Sequence, residues 1–237
     1  MARVQVDPIE DAVLMDLLKR HPDVELTGAA PTRGKLQFAV DGWQRRLGVG
    51  NPALEVHGLV EIIDNNPLVC ADSASVPGPA ETLLWIAAAP LARAGWLTDS
   101  PVFACTEPCD EDSLDREMSF MGFEGGVASH HEPVENGPLG YATLMAAIPG
   151  EIHGLQVREL FEECYGRAFF VRMTQDWQPE AVIGQPHALV RWSLTPDEPQ
   201  SLLKVQVVAD RSGKLGAAQL IHCFNVMCGF EESLPFA

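Results

Sequence analysis

Apolar residues recur at two spacings along the chain, and these spacings predict a succession of strands and helices. Alternating apolar and polar positions predict strands over 3–6, 24–29 and 35–40. Apolar residues three and four apart predict a helix over 10–20, which Pro22 closes. The chain is therefore predicted to begin with a strand, a helix and a second strand.

A longer apolar segment follows a tight turn at 76–82. Proline and glycine punctuate the turn, Glu81 falls near the positive end of the helix dipole, and Gly95 provides a stop. The segment 83–95 is therefore predicted to be a buried helix. Beyond it the patterns predict strands at 101–105, 141–148, 187–194 and 202–209, and helices at 154–164 and 213–229.

The turn and its helix resemble the active-site segment of N-acetyl-gamma-glutamyl-phosphate reductases, in the aspartate-semialdehyde dehydrogenase superfamily. That segment reads Asn-Pro-Gly-Cys-Tyr-Pro-Thr before an Ala/Leu-rich helix. The shared positions are Pro77, Gly78, Thr82, Pro90, Leu91, Ala94 and Gly95. The stretch 210–229 resembles a later helix of the family and keeps Asp210, Lys214, Ala217, Gln219, Asn225, Met227 and Gly229. Shorter phrases between 130 and 190 are also similar to the family.

This resemblance implies a fold between α/β and α+β with two domains. Residues 1–75 would form a truncated remnant of a dinucleotide-binding domain, which lacks several strand–helix units of the family. Residues 76–237 would form the reductase-like catalytic and dimerisation domain, with a mixed sheet. The helix 213–229 would pack back towards the remnant.

The positions that carry the family's chemistry are changed together. Pro79 occupies the place of the nucleophilic cysteine, and proline has no nucleophilic atom with which covalent catalysis could begin. The family's acid/base histidine phrase is missing between Asp110 and Gly126, and Asn136 replaces an arginine that would anchor an anionic substrate. The loop at 7–11 has no glycine, and its acids would repel a pyrophosphate. We therefore expect a pseudoenzyme without a cofactor.

Several side chains remain candidates for a ligand cleft: Pro79, His130, His131, Asn136, Asp210, Lys214 and Gln219. For Lys214 and Gln219, a role at the helix entry is as open as a role in ligand binding. Altered chemistry in the old pocket would depend on Cys70, His130 and Lys214. The adjacent histidines lack a third ligand at a definite spacing, and the six cysteines lack the paired spacing of a zinc site, so no metal is expected.

The formal net charge of −17 narrows the range of partners. Phosphate contacts need clustered Lys and Arg, so the charge argues against nucleic acid and anionic membranes and is compatible with a basic partner. The acidic run at 107–117 is either a solvated loop and helix start or a surface for such a partner. No apolar run approaches the roughly 20 residues of a membrane span, and the first residues do not form a signal peptide, so a cytoplasmic location is expected.

Together these observations favour a non-catalytic, reductase-derived binding protein that forms a homodimer. It would bind a peptide or protein partner of a specialised biosynthetic pathway. Because the nucleotide domain is eroded, the former cleft would be open to an extended peptide, which could also add to an exposed sheet edge as a strand. The alternatives are an enzyme with altered chemistry and a regulatory subunit of a true reductase.

Overall fold

A computed structural model describes residues 3–134 and 137–236 as a mixed α/β protein with two six-stranded mixed sheets and six helices. A short 3₁₀ helix at Pro179–Val182 and a π-type turn at Gly213–Ala217 complete the helical elements of these residues. In chain order the strands and α-helices are β1 Val4–Val6, α1 Ala12–Arg20, β2 Val24–Leu26, β3 Lys35–Val40, β4 Trp43–Val49, β5 Val56–His57, α2 Asn65–Cys70, β6 Ser73–Val76, α3 Pro79–Arg93, β7 Val102–Cys105, α4 Glu111–Phe120, β8 Ala128–His131, β9 Leu139–Pro149, α5 Gly154–Tyr165, β10 Val171–Met173, β11 Ala188–Thr195, β12 Gln200–Asp210 and α6 Ala218–Cys228.

The chain divides into two compact units. The first unit contains the residues up to Gly78 and those from Gly216 onward, and the second unit is the continuous stretch Pro79–Leu215. Helix α6 therefore completes the core of the first unit, where Ile221 and Phe224 are buried with residues of β1, β3 and α1.

The first unit contains a sheet in the order β2-β1-β3-β4-β6-β5. Strands β1 and β2 are parallel and are joined by α1, which is the strand–helix–strand opening that the sequence predicts. The sheet then departs from a purely parallel arrangement, because β3 runs antiparallel to both β1 and β4. What is established is thus a mixed α/β unit.

Helix α1 begins with a side-chain cap. Asp11 Oδ1 accepts the backbone N–H of Leu14 at 2.8 Å, as expected for an N-cap aspartate. Asp7, at the start of the same loop, accepts the hydroxyl of Thr27 at 2.7 Å. The prediction that this helix is capped by an acid of its own loop is therefore confirmed for Asp11, whereas Asp7 contacts Thr27.

Strand β4 was not predicted, because an arginine occupies one of its inward positions. Arg45 is buried, and its guanidinium donates to the carbonyl oxygens of Leu68 at 2.6 Å, Ala71 at 2.8 Å and Met227. These carbonyls lie at the ends of α2 and α6, where backbone oxygens have no partner within the helix. The indole of Trp43 covers Arg45, with its centroid 4.3 Å from the guanidinium carbon.

The second unit contains a sheet in the order β10-β11-β12-β9-β7-β8. Every second residue of β9 and β12 is buried, and helix α3 packs against these two strands and against α4 and α5. The opposite face of the sheet is partly open. On it Val102 lies directly across from Met145, and Leu202 lies across from Ala147.

The acidic run at 107–117 contains the predicted helix start, since α4 begins at Glu111, but the run is only partly solvated. Glu107 and Glu117 are buried, and the carboxylate of Glu117 accepts the indole N–H of Trp85. Asp110 caps α4 by accepting the backbone N–H of Ser113 at 3.0 Å. Two acids of the run therefore have contacts inside the second unit, and the others remain at the surface.

Candidate functional site

The turn before α3 has the geometry of a helix entrance. Strand β6 ends at Val76, and α3 begins at Pro79, whose fixed φ suits the first helical position. Pro79 is exposed and offers no nucleophile. Within the first unit, the buried side-chain amide of Gln219 donates to the carbonyl oxygen of Pro77 at 3.2 Å. Gln219 thus supports the turn from inside that unit.

Asp210 ends β12 and is used as a backbone acceptor. Its buried carboxylate accepts the N–H groups of Gly184, Ser212 and Gly213, each at 2.8 Å. Such charge-assisted bonds are short and strong, and they hold the turn after β12 against the segment before β11. In the second unit Asp210 therefore fixes the backbone.

Lys214 is a buried lysine that packs against Phe170, whose carbonyl anchors the start of β11. The backbone N–H of Ala188 donates to the carbonyl of Phe170 at 2.9 Å, and the ammonium of Lys214 lies 5.5 Å from the centroid of the Phe170 ring. Lys214 has no exposed surface. An ammonium over an aromatic face is attracted by the ring's quadrupole, so this contact contributes to holding the charge in the core.

His187 lies in the same segment and was not singled out from the sequence. It is buried, and its Nδ1 has no hydrogen-bond partner among the residues that the structure describes. Burial, with a smaller contribution from the positive charge of Arg172, lowers the pKa of His187 to about 4. The imidazole ring is therefore neutral at pH 7. No local sequence motif around His187 could have identified it as a site residue.

An ion pair next to Asp210 is the second feature that the sequence did not predict. Arg211 Nε contacts Glu107 Oε1 at 2.8 Å, and Glu107 is buried. The backbone N–H of Arg211 also donates to Pro138 at 2.8 Å, and its guanidinium donates to the carbonyl of Gly137. These contacts hold the chain just after 135–136. Asn136 itself lies outside the described residues.

His130 and His131 lie on β8, three strands away from β12, which ends at Asp210. Both are exposed, and they pair in register with Ala104 and Cys105 of β7. Strands β7 and β9 separate β8 from β12, a distance of about 14 Å at the usual strand spacing. The candidate residues of the second unit therefore do not converge on one point.

The remaining candidate, Cys70, belongs to the first unit. It is exposed at the end of α2. The same unit contains a pocket of about 490 Å³ beside the start of α1, where Glu10 and Asp11 lie among Arg33, Lys35 and apolar side chains. Because the cap of α1 is an acid, this pocket lacks the open N–H cradle that a pyrophosphate needs.

A buried histidine in α6 was also missed from the sequence. His222 Nε2 lies 2.9 Å from Glu232 Oε2, and its Nδ1 lies 3.5 Å from Glu61 Oε1. Both His222 and Glu61 have almost completely buried side chains. The hydrogen bond from His222 is the main cause that lowers the pKa of Glu232.

Within residues 3–134 and 137–236, no group of three or more His, Cys, Asp or Glu side chains is placed to hold a metal ion. No helix in this described part of the chain has both the length and the apolar character needed to cross a membrane. No family model matches the chain, and no curated protein matches it.

Proposed function

We propose that this chain is a non-catalytic binding protein, derived from a reductase-like scaffold, that binds an extended polypeptide along strand β8. Its first unit would be the remnant of a dinucleotide-binding domain, used as a structural element and without a cofactor. The protein would bind a peptide or protein partner of a biosynthetic pathway in the cytoplasm.

The first support for this proposal is the structural use of the candidate chemical groups. Asp210 is occupied by three backbone donors, and Lys214 is fully buried. His130, in contrast, is exposed on β8, three strands away from β12, whose end precedes Lys214. An enzyme with altered chemistry would need such groups to converge, because nucleophile and base act within hydrogen-bond reach. The described geometry therefore favours binding over catalysis.

The observation that carries the proposal is the open edge of β8. Ala128 donates its backbone N–H to the carbonyl just before β7, and Glu132 donates to the last carbonyl of β7, both at 2.9 Å. Backbone groups alternate in direction along a strand, so the N–H and C=O groups of Ser129 and His131 point away from β7. No other strand of the described residues pairs with this edge. An extended peptide can therefore add here through main-chain hydrogen bonds.

Strand β8 is more accessible than the other edges of comparable length. Three of its four residues are exposed, whereas β2 and β10 each begin with a buried valine, Val24 and Val171. Natural proteins usually blunt an exposed edge with a proline, a bulge or a covering element, because such an edge pairs readily with other chains. The accessibility of β8 is thus consistent with an edge kept open for a partner.

Panning a displayed peptide library against the protein tests this function. Peptides selected on the wild-type chain are expected to bind Ser129→Ala equally and to lose at least ten-fold in affinity on Ser129→Pro. Proline removes the outward N–H at this position but leaves the bonds to β7 intact. Both variants must retain the wild-type circular dichroism spectrum. Selected peptides that bind Ser129→Pro as tightly as the wild type would refute strand addition at β8.

A further inference from the structure

The edge of β8 has two chemically different sides. From this difference we infer that the partner segment alternates basic and apolar residues, with its basic side chains towards helix α4. The inference rests on the proposed strand addition and specifies its partner class. Three observations carry it: the orientation of α4, the charges on that helix and its flanks, and the apolar character of the opposite side of the sheet.

Helix α4 turns one of its sides towards the entry of β8. Asp115 Oδ1 accepts the backbone N–H of Val127, immediately before the strand, at 2.7 Å. The Ser119 hydroxyl, four residues along the same side, contacts Glu124 Oε2 at 3.1 Å. Asp112 precedes Asp115 by three residues and so shares this side of the helix. Carboxylates therefore lie along the side of α4 that faces the strand.

Acids strongly outnumber bases in this region. Between residues 107 and 132 there are eight Asp or Glu residues, while Arg116 is the single Arg or Lys. Glu107 and Glu117 are buried with contacts of their own, as described above, which leaves the half-buried Asp115 and five exposed acids: Asp110, Glu111, Asp112, Glu124 and Glu132. A partner strand with basic side chains would complement this surplus, and an acidic one would be repelled.

The other side of the β8 edge combines Ala128 and His130 with apolar residues of the neighbouring strands. Ala128 faces the same side as Val102, its register partner on β7, and Val102 lies across from Met145 on β9. Val102 and Met145 are 42% and 39% exposed, although both are large hydrophobic residues. Side chains of an added strand alternate between the two sides of the sheet. Every second residue of the partner would therefore lie beside Ala128 and His130, on the side of the sheet that carries Val102 and Met145, and the residues between them would lie beside α4.

Three synthetic peptides of about ten residues test this inference. All carry valine at alternate positions, and the positions between are lysine in the first, glutamine in the second and glutamate in the third. Binding to the full chain is measured by fluorescence anisotropy at low and high salt. The double variant Asp112→Asn/Glu124→Gln removes two charges beside the edge. The matched control Glu159→Gln/Glu163→Gln removes two exposed charges from α5, which packs near the opposite edge strand β10.

The lysine peptide is expected to bind best and to weaken with salt. It should lose about five-fold in affinity on the double variant of α4 and less than two-fold on the α5 control. Equal binding of all three peptides would overturn the inference while leaving strand addition at β8 intact. No binding of any peptide, with the library selection also negative, would overturn both. Self-association that Ser129→Pro abolishes would assign the edge to a second copy of the chain and overturn the inference as well.

Discussion

Replacing His187 by leucine is expected to remove a defined part of the protein's sensitivity to acid. The pKa of this buried histidine is about 4, compared with the ordinary value of 6.5 that applies to the unfolded chain. The unfolded chain therefore binds the proton more tightly, and the folded state loses stability as the pH falls from 6.5 towards 4. At 1.36 kcal/mol per pKa unit the full effect is about 3 kcal/mol, of which about 2 kcal/mol is lost between about pH 7.5 and pH 5.

Urea denaturation of the wild type and His187→Leu at these two pH values measures this contribution. Four of the five tryptophans lie in the second unit, so their fluorescence mainly follows the unit that contains His187. The free energy of unfolding of the variant should fall by about 2 kcal/mol less than that of the wild type over this interval. Near neutral pH the variant should be at least as stable, because it removes a buried polar atom without a hydrogen-bond partner.

The control is His130→Gln, which changes an exposed histidine of the same unit. The pH dependence of His187→Leu is compared with that of this variant as well as with that of the wild type. An unchanged pH dependence in His187→Leu would refute the assignment of a neutral, buried ring. A His187→Leu variant that is much less stable at neutral pH would mean that His187 has a stabilising bond that the described geometry does not contain.

Three further predictions follow from other features. Gly213→Ala should lower the free energy of unfolding by about 1–3 kcal/mol, because the added Cβ would clash with the carbonyl oxygen of Gln185. Gly154→Ala, whose Cβ would lie 3.7 Å from its nearest neighbour, should leave this free energy unchanged, and equal urea midpoints for the two variants would contradict the prediction. The hydrogen bond from His222 lowers the pKa of Glu232, so it stabilises the folded state above pH 4.5, and this contribution is lost as the pH falls through the lowered pKa. Glu232→Gln should therefore lose less stability than the wild type on acidification, as measured by urea denaturation, and an equal loss would contradict this. Met145→Lys, on the open sheet face, should dissociate the expected homodimer in light scattering, and an unchanged mass would refute that dimer face.

Local patterns were sufficient where each residue's role depends on its neighbours in sequence. Asp11 caps a helix whose apolar spacing is regular, and the predicted strand at 35–40 coincides with β3. The helix predicted over 154–164 extends by one residue to Tyr165. In these segments the buried face of the element and the spacing of its apolar residues coincide.

The same patterns failed where a polar residue is satisfied by distant parts of the chain. Arg45 interrupts the apolar face of β4, and its carbonyl partners include Met227, 182 residues away. In β6, Ser73 and Ser75 are buried, and the hydroxyl of Ser75 accepts the N–H of Asn51 at 2.9 Å. Because such bonds join segments far apart in sequence, the spacing of hydrophobic residues contains no signal for them.

The contacts of the candidate site residues were likewise not predictable from the sequence. The resemblance drew attention to Asp210 and Lys214, but it gave no indication that Asp210 would be surrounded by backbone donors. Gly213 illustrates why, since its close approach to the carbonyl of Gln185 is visible only once the two segments are folded together. His187 was missed because an isolated histidine before a strand matches no motif.

The composition of the first unit from two separate stretches has a consequence for synthesis on the ribosome. The sheet of this unit is made before residue 79, but α6 is translated only after the whole second unit. At cellular rates the interval is on the order of 10 s. During it, the apolar face that α6 later covers, which includes Phe38 and Leu47, is exposed to chaperones and to other nascent chains. The second unit, in contrast, has its whole core available as soon as Leu215 leaves the exit tunnel. It can therefore fold before the first unit is complete.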